Sequence, residues 1–254
     1  MRFVCLFALL LAGCADAADD PVPDAPAPPM ARPEAPAVDP EALGGDLPVY
    51  AERLLSNPYV EVSRFALPPG RAVALRTGKN WVAYALSDAE LRVDGEPETW
   101  AAGSAVLYTE PARIENVGAD SARVLFLERW ANPLPDRALP GQDPDLRFPA
   151  ELTRLNEIDN EALEVLVADD RVVVARVTLA PGTALPTHSA FSRVVYALND
   201  YTVERYNSEG FAGTTADGVV ARRAGAIAWD SALNYGARNV GEAPSETLLV
   251  AYYD

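Results

Sequence analysis

Short apolar stretches with alternating or continuous β-branched residues dominate the chain after residue 50. Arg171–Leu179 (RVVVARVTL) is the clearest: Val173, Ala175, Val177 and Leu179 fall on one face of an extended strand. Val194–Leu198 and Tyr201–Tyr206 flank Asn199-Asp200, a pairing that predicts a hairpin. Pro-Gly pairs at 69–70 and 181–182 mark tight turns. Strands of four to nine residues, closely spaced and without a long amphipathic helix, predict an all-β sandwich or barrel. One short helix is expected over Pro48–Leu55. The stretch Ala131–Pro149 holds five prolines and little periodicity, as a join between two units does.

The pattern occurs twice. Val60–Asp88 laid on Val172–Asp200, an offset of 112, gives twelve identities in 29 positions. Among them are Val60/Val172, Arg64/Arg176, Pro69/Pro181, Gly70/Gly182 and Tyr84/Tyr196. Farther on, Gly103 matches Gly225 at an offset of 122, and Asn116-Val117-Gly118 matches Asn239-Val240-Gly241 at 123. A longer hairpin loop near Asn207–Gly218 accounts for most of the growth. Duplication of one unit is the economical explanation. The copies share no identity between residues 73–81 and 185–193, although the framework on both sides of that gap is alike.

The first residues have a different character. Arg2 is followed by an apolar run from Phe3 to Leu11, too short to span the ~30 Å hydrocarbon core of a bilayer as a helix. It has the form of a secretory signal. It ends in Leu11-Ala12-Gly13-Cys14, which resembles the lipobox of bacterial lipoproteins. The resemblance implies cleavage before Cys14, lipid on that thiol, and a periplasm-facing place in the cell envelope. By resemblance to enterobacterial lipoprotein sorting, Ala15 after the cysteine, where aspartate would imply retention, implies the outer membrane over the inner one. The other cysteine, Cys5, lies in the removed segment, so the mature chain is expected to use no disulfide. Residues 14–47 are rich in Pro, Ala and Asp and are expected to form a disordered tether. The expected organisation is thus signal 1–13, tether 14–47, first domain 48–132, Pro-rich linker 133–152 and second domain 153–254.

Charge removes one class of partner. With 37 acidic and 21 basic side chains the net charge is −16, which argues against nucleic acid.

The glycine and turn framework of each unit resembles a cupin, a small jelly-roll β-barrel. Cupins carry a first motif of Gly, five residues, His-x-His, Glu and Gly, and a second of Gly, Pro-Gly, His and Asn. In this chain the first motif corresponds to Leu179-Ala180-Pro181-Gly182 through Leu198. The second corresponds to Gly225 through Tyr235 and Asn239-Val240-Gly241. The first copy offers Leu67-Pro68-Pro69-Gly70 through Leu86, then Gly103 through Asn116-Val117-Gly118. The fold implied is all-β, two tandem cupin-like barrels in one bicupin. Cupins usually hold a divalent metal on three histidines and a glutamate. Here those places read His188, Ala190, Arg193 and Tyr235 in the second copy. In the first they read Arg76, Gly78, Trp81 and Ala112. The chain has a single histidine. A catalytic transition-metal site takes about three protein ligands, so no metal or other cofactor is expected.

His188, Arg193 and Tyr235 map to positions that face into a cupin barrel. A cation, an imidazole and a phenol together suit a small anionic ligand. The plainer alternative is that His188 lies on a solvated loop, Tyr235 fills core and Arg193 pairs with an acid. Trp81, Trp100 and Trp229 are read as core. If the protein is an enzyme, His188 and Tyr235 are the candidate base and acid, in the manner of metal-independent cupin epimerases; the carboxylate that orients the histidine in those enzymes has no assigned counterpart here, Asp230 being only a guess. Otherwise no catalytic residue is expected. The expected function is a membrane-anchored, metal-free binding protein for a small molecule or an envelope protein, with a homodimer implied by resemblance. A scaffold without a ligand is the remaining alternative.

Overall fold

The structure is a computed structural model and describes residues 50–75, 80–130, 162–169, 171–190, 192–208, 214–230 and 233–252. The signal and tether, the 133–152 linker, and Arg76 and Gly78 lie outside the described residues, as does the tip of the long hairpin at 209–213.

Eighteen strands are described. The first half holds β1 (Ala51–Ser56), β2 (Val60–Leu67), β3 (Ala72–Ala74), β4 (Trp81–Ala85), β5 (Ala89–Val93), β6 (Glu96–Trp100), β7 (Ala105–Tyr108), β8 (Arg113–Asn116) and β9 (Ala122–Arg129). The second holds β10 (Leu163–Ala168), β11 (Val172–Leu179), β12 (Ala184–Ala190), β13 (Arg193–Ala197), β14 (Tyr201–Ser208), β15 (Thr214–Arg222), β16 (Ile227–Asp230), β17 (Leu233–Asn239) and β18 (Ser245–Tyr252). Each half makes a five-stranded and a four-stranded sheet. The orders are β1-β2-β9-β4-β7 with β3-β8-β5-β6, and β10-β11-β18-β13-β16 with β12-β17-β14-β15. Strand for strand, the second half repeats the first, down to a register break between Arg53 and Leu55 in β1 and between Val165 and Val167 in β10.

The central strands of the five-stranded sheets are buried on both faces. In β2, Phe65 and Leu67 face the interior of their barrel, while Val60 and Val62 join a second core. That second core also takes Val172 and Val174 of β11 and Leu248, Val250 and Tyr252 of β18, so it lies between the two halves. The uninterrupted valines of β11 thus serve two cores at once. Of the alternating set expected from the sequence, Val173, Ala175, Val177 and Leu179, the last two pack in the core of the second barrel. Tyr59 stacks on Trp229 across this seam with ring centroids 5.6 Å apart.

Charged clasps close the seam at both ends. Arg64 pairs with Glu52 and reaches the Tyr196 hydroxyl. Arg176 pairs with Glu164 and acts on Tyr84. Hydrogen bonding to Glu52 raises the Arg64 pKa above its ordinary value, so the guanidinium stays charged. Each arginine lies over a glycine of the other half. A Cβ on Gly103 would meet Arg176 Nη1 at 3.2 Å, and one on Gly225 would meet Arg64 Nη1 at 3.4 Å. Both glycines also have positive φ, +87° and +84°, which L side chains rarely adopt.

Two sequence expectations are corrected. The helix expected over Pro48–Leu55 is not formed by its described residues: Ala51–Ser56 is strand β1, paired with β2 from Ala51↔Phe65 to Ser56↔Glu61. The adjacent Leu54 and Leu55, which suit a helix face, both pack on the seam core beside the register break. Sheet pairing overrides the local preference. Asn199-Asp200 does not join a hairpin either. β13 belongs to the five-stranded sheet and β14 to the four-stranded one. The pair is a corner between sheets, held by Asn199 Nδ2 donating to Pro244 O at 2.8 Å and Asp200 accepting from Ala224 N at 2.7 Å. The expected long hairpin near Asn207–Gly218 is formed by β14 and β15.

The motif asparagines are the other fixed corners. Asn116 is wholly buried and donates to Leu67 O and Asp120 O, both at 2.7 Å. Its Oδ1 accepts from Gly118 N at 3.0 Å. Asn239 repeats the set with Leu179 O, Ala243 O and Gly241 N. Their role is to hold a turn against the end of β2 or β11.

Candidate functional site

The two barrels differ inside. In the first, Phe65 and Phe126 meet edge to face at 5.2 Å, and Trp100 and Tyr108 lie 6.4 Å apart between centroids. Trp100 is buried, and its Nε1 donates to Glu98 Oε2 at 2.9 Å. Burial also pushes the Tyr108 phenol pKa far above its usual value, keeping it neutral. Leu91, Val93 and Ile114 complete a filled interior.

In the second barrel the matching positions are smaller or charged. Phe65 and Phe126 become Val177 and Leu249. Val93 becomes Arg205, Trp100 becomes Arg222, Trp81 becomes Arg193 and Tyr108 becomes Asp230. The ladders confirm the equivalence: Trp81 faces Tyr108 across β4–β7, and Arg193 faces Asp230 across β13–β16. Loss of the rings leaves a cavity of about 70 Å3. Its wall is largely apolar, with Val177, Leu179, Val195, Val203 and Leu249, and it is charged at Arg205, Arg222 and Asp230. Arg205 Nη2 lies 3.6 Å from Asp230 Oδ2, an ion pair looser than a hydrogen bond. Arg193 is 4% exposed, and strand alternation puts it on the same interior side as Val195.

The residues singled out from the sequence occupy two places. His188 on β12 and Tyr235 on β17 are direct partners in the β12–β17 ladder. Arg193 lies on the other sheet, opposite Asp230. Asp230, the one carboxylate considered as an orienting group for His188, is engaged by Arg205. Sequence reasoning missed Arg205 and Arg222. The signal was present, because the offsets of 112 and 122 align them with Val93 and Trp100. In the first copy, Trp81 packs beside the barrel core and Ala112 is buried within it. Trp229 belongs to the seam.

The residues present do not fit the divalent metal that a cupin usually holds. A buried arginine stands at the glutamate place of the second barrel, and tryptophan and alanine stand at two ligand places of the first. Among the described residues no group of three His, Cys, Asp or Glu side chains is arranged to hold a metal ion. Cationic guanidinium groups around one carboxylate repel a cation and attract an anion.

A wider cleft of about 550 Å3 runs along the seam past Tyr50, Phe65, Arg123 and Leu198. Its Arg64 is already tied to Glu52 and Tyr196.

No family model and no curated protein matches the sequence. Solved structures do match in fold. A cupin 2 conserved barrel domain protein from Leptotrichia buccalis aligns with a TM-score of 0.50 at 16% identity, covering 85% of this chain and 95% of that one. A putative glyoxylate-induced protein from Pseudomonas aeruginosa gives 0.54 at 13% identity, over 78% and 76% of the two chains. The oxalate decarboxylase of Lactobacillus farciminis, solved as a formate complex, gives 0.52 at 13% identity, over 82% and 87%. With two repeated antiparallel barrels and these neighbours, the chain has the cupin fold in its two-barrel form.

Proposed function

We propose that the protein is a binding protein of the cell envelope, anchored through lipid on Cys14, whose second barrel receives a small anion without a metal. The observation that carries this reading is the exchange of an aromatic interior for an arginine-lined one between two otherwise matching barrels. In the first barrel Phe65, Phe126 and Trp100 pack into the interior instead, and this barrel serves as scaffold for the shared seam. The anchor is supported by Leu11-Ala12-Gly13-Cys14 after the apolar run, and Ala15 favours the outer membrane.

The site is tested by thermal unfolding of the purified full chain with formate, acetate, butyrate, succinate, phosphate and sulfate, against neutral amides of the same size. Anion-specific stabilisation supports the reading, and no response to any anion contradicts it. Retention of one Mn(II), Fe(II) or Zn(II) per chain after desalting also contradicts it. For the anchor, Cys14→Ser is expected to move the protein from the membrane to the soluble fraction. Continued membrane association would refute lipidation at that residue.

A second reading, acid–base catalysis by His188 and Tyr235, is favoured by their direct pairing in the β12–β17 ladder. It is separated from binding alone by substituting His188 with Ala: turnover is lost if the pair is catalytic, and ligand affinity alone changes if it is not.

A further inference from the structure

Arg222 and Arg205 do not stand in the same situation. Arg222 pairs with Tyr201 in the β14–β15 ladder, and Arg205 lies four residues farther along β14, about 13 Å away at roughly 3.3 Å per residue. Arg205 already has Asp230 as its counter-ion. Arg222 lines the same cavity and, among the described residues, makes no ion pair. It also replaces Trp100, which in the first barrel is buried and tied down by Glu98; the corresponding partner position in the second barrel is Val220, which offers no acceptor side chain. A cation has therefore been placed at the cavity wall and its neighbouring acid removed. Between the two charged ends the wall is mostly valine, leucine and alanine, with Tyr201, Ser245 and Thr247 as its hydroxyl-bearing members.

From this we infer that the ligand is a short-chain aliphatic monocarboxylate. Its carboxylate pairs with Arg222 and its alkyl tail lies along Val203 and Leu249 toward the closed Arg205–Asp230 pair. This deepens, and rests on, the reading of the second barrel as an anion site. The single open cation calls for one negative charge, because a second carboxylate at the far end would meet Asp230. The predominantly apolar wall, with Val203 and Leu249 in it, calls for a hydrocarbon tail. A space of about 70 Å3 limits that tail to a few carbons. The planar, two-pronged guanidinium suits a carboxylate better than a spherical anion.

The test is calorimetric titration of the full chain with acetate, butyrate, octanoate, succinate, phosphate and butyramide. Butyrate is expected to bind best, with butyramide weaker by at least roughly tenfold because it lacks the charge. Arg222→Gln is expected to weaken butyrate by a similar factor with an unchanged unfolding temperature, and Arg222→Lys to restore part of the loss. Equal affinity for butyrate and butyramide overturns the inference, as does full butyrate affinity in Arg222→Gln. If phosphate or succinate binds and butyrate does not, the monocarboxylate assignment fails and the anion site stands. If no anion binds, both fall.

Discussion

Arg193 lies directly opposite Asp230 in the second barrel, at the place where Trp81 lies opposite Tyr108 in the first. The backbone ladder is the same, and only the side chains differ. One substitution pattern has turned a closed aromatic interior into a charged cavity without altering strand order. That pairing makes the interior charges interdependent, and each can be probed through stability as well as binding.

Asp230 stabilises the cations around it. Its side chain is 17% exposed and that of Arg205 is 22% exposed, so the pair is largely shielded from water. Asp230→Asn removes the charge while keeping the shape. It is expected to cost about 1–3 kcal/mol, less than a fully buried pair because some solvent reaches it. Urea unfolding at neutral pH measures this, and a change below about 0.3 kcal/mol would show that the pair contributes nothing.

Asn116 and Asn239 each satisfy two carbonyls and one amide in buried turns. Replacing either with alanine leaves those groups without a partner and is expected to cost about 2–4 kcal/mol. The two effects should be similar in size, since the hydrogen bonds are repeated almost to the tenth of an ångström. Denaturant midpoints of the two single variants check both statements. A neutral effect at Asn239 alone would mean that the second barrel does not rely on the turn.

These asparagines show how far the sequence could be read. The repeat, the glycine turns and the Asn-Val-Gly corners identified a duplicated barrel, because such residues are set by local backbone geometry and survive divergence. The strand at Ala51–Ser56 was illegible, because its pairing with β2 is long-range and nothing local requires it. The corner at Asn199-Asp200 has the local chemistry of a hairpin. Only the route of β14 into the other sheet distinguishes the two. For the site, a motif-by-motif comparison found His188, Arg193 and Tyr235 but passed over Arg205 and Arg222. Those two lie outside the cupin motifs, and their significance depends on knowing that Val93 and Trp100 fill the other barrel.

Tyr252 is expected to contribute to the alkaline limit of stability. It is buried in the seam, and its hydroxyl has no hydrogen-bond partner among the described residues. Burial raises its pKa far above the ordinary tyrosine value, and the charge of Arg129 acts in the opposite direction. A phenol whose pKa is raised on folding contributes stability that is fully present below the unfolded value near 10 and is lost as pH climbs toward the folded value. Burial acts in the same direction on Tyr84 and Tyr108. Tyr252→Phe is therefore expected to be neutral or slightly stabilising at pH 7, and to make the fall in unfolding temperature above pH 10 shallower. A steeper alkaline fall in the variant would contradict this assignment.

The most direct test of the account copies the first barrel into the second. The Arg193→Trp/Asp230→Tyr double variant restores the Trp81–Tyr108 pair at the equivalent place. Calorimetric titration with butyrate is compared between this variant and the native full chain, with the unfolding transition recorded for both. The account predicts saturable binding by the native protein, and a cooperatively folded double variant with no detectable binding. Unchanged butyrate affinity in the folded double variant would contradict the claim that the second barrel's charged interior is the ligand site.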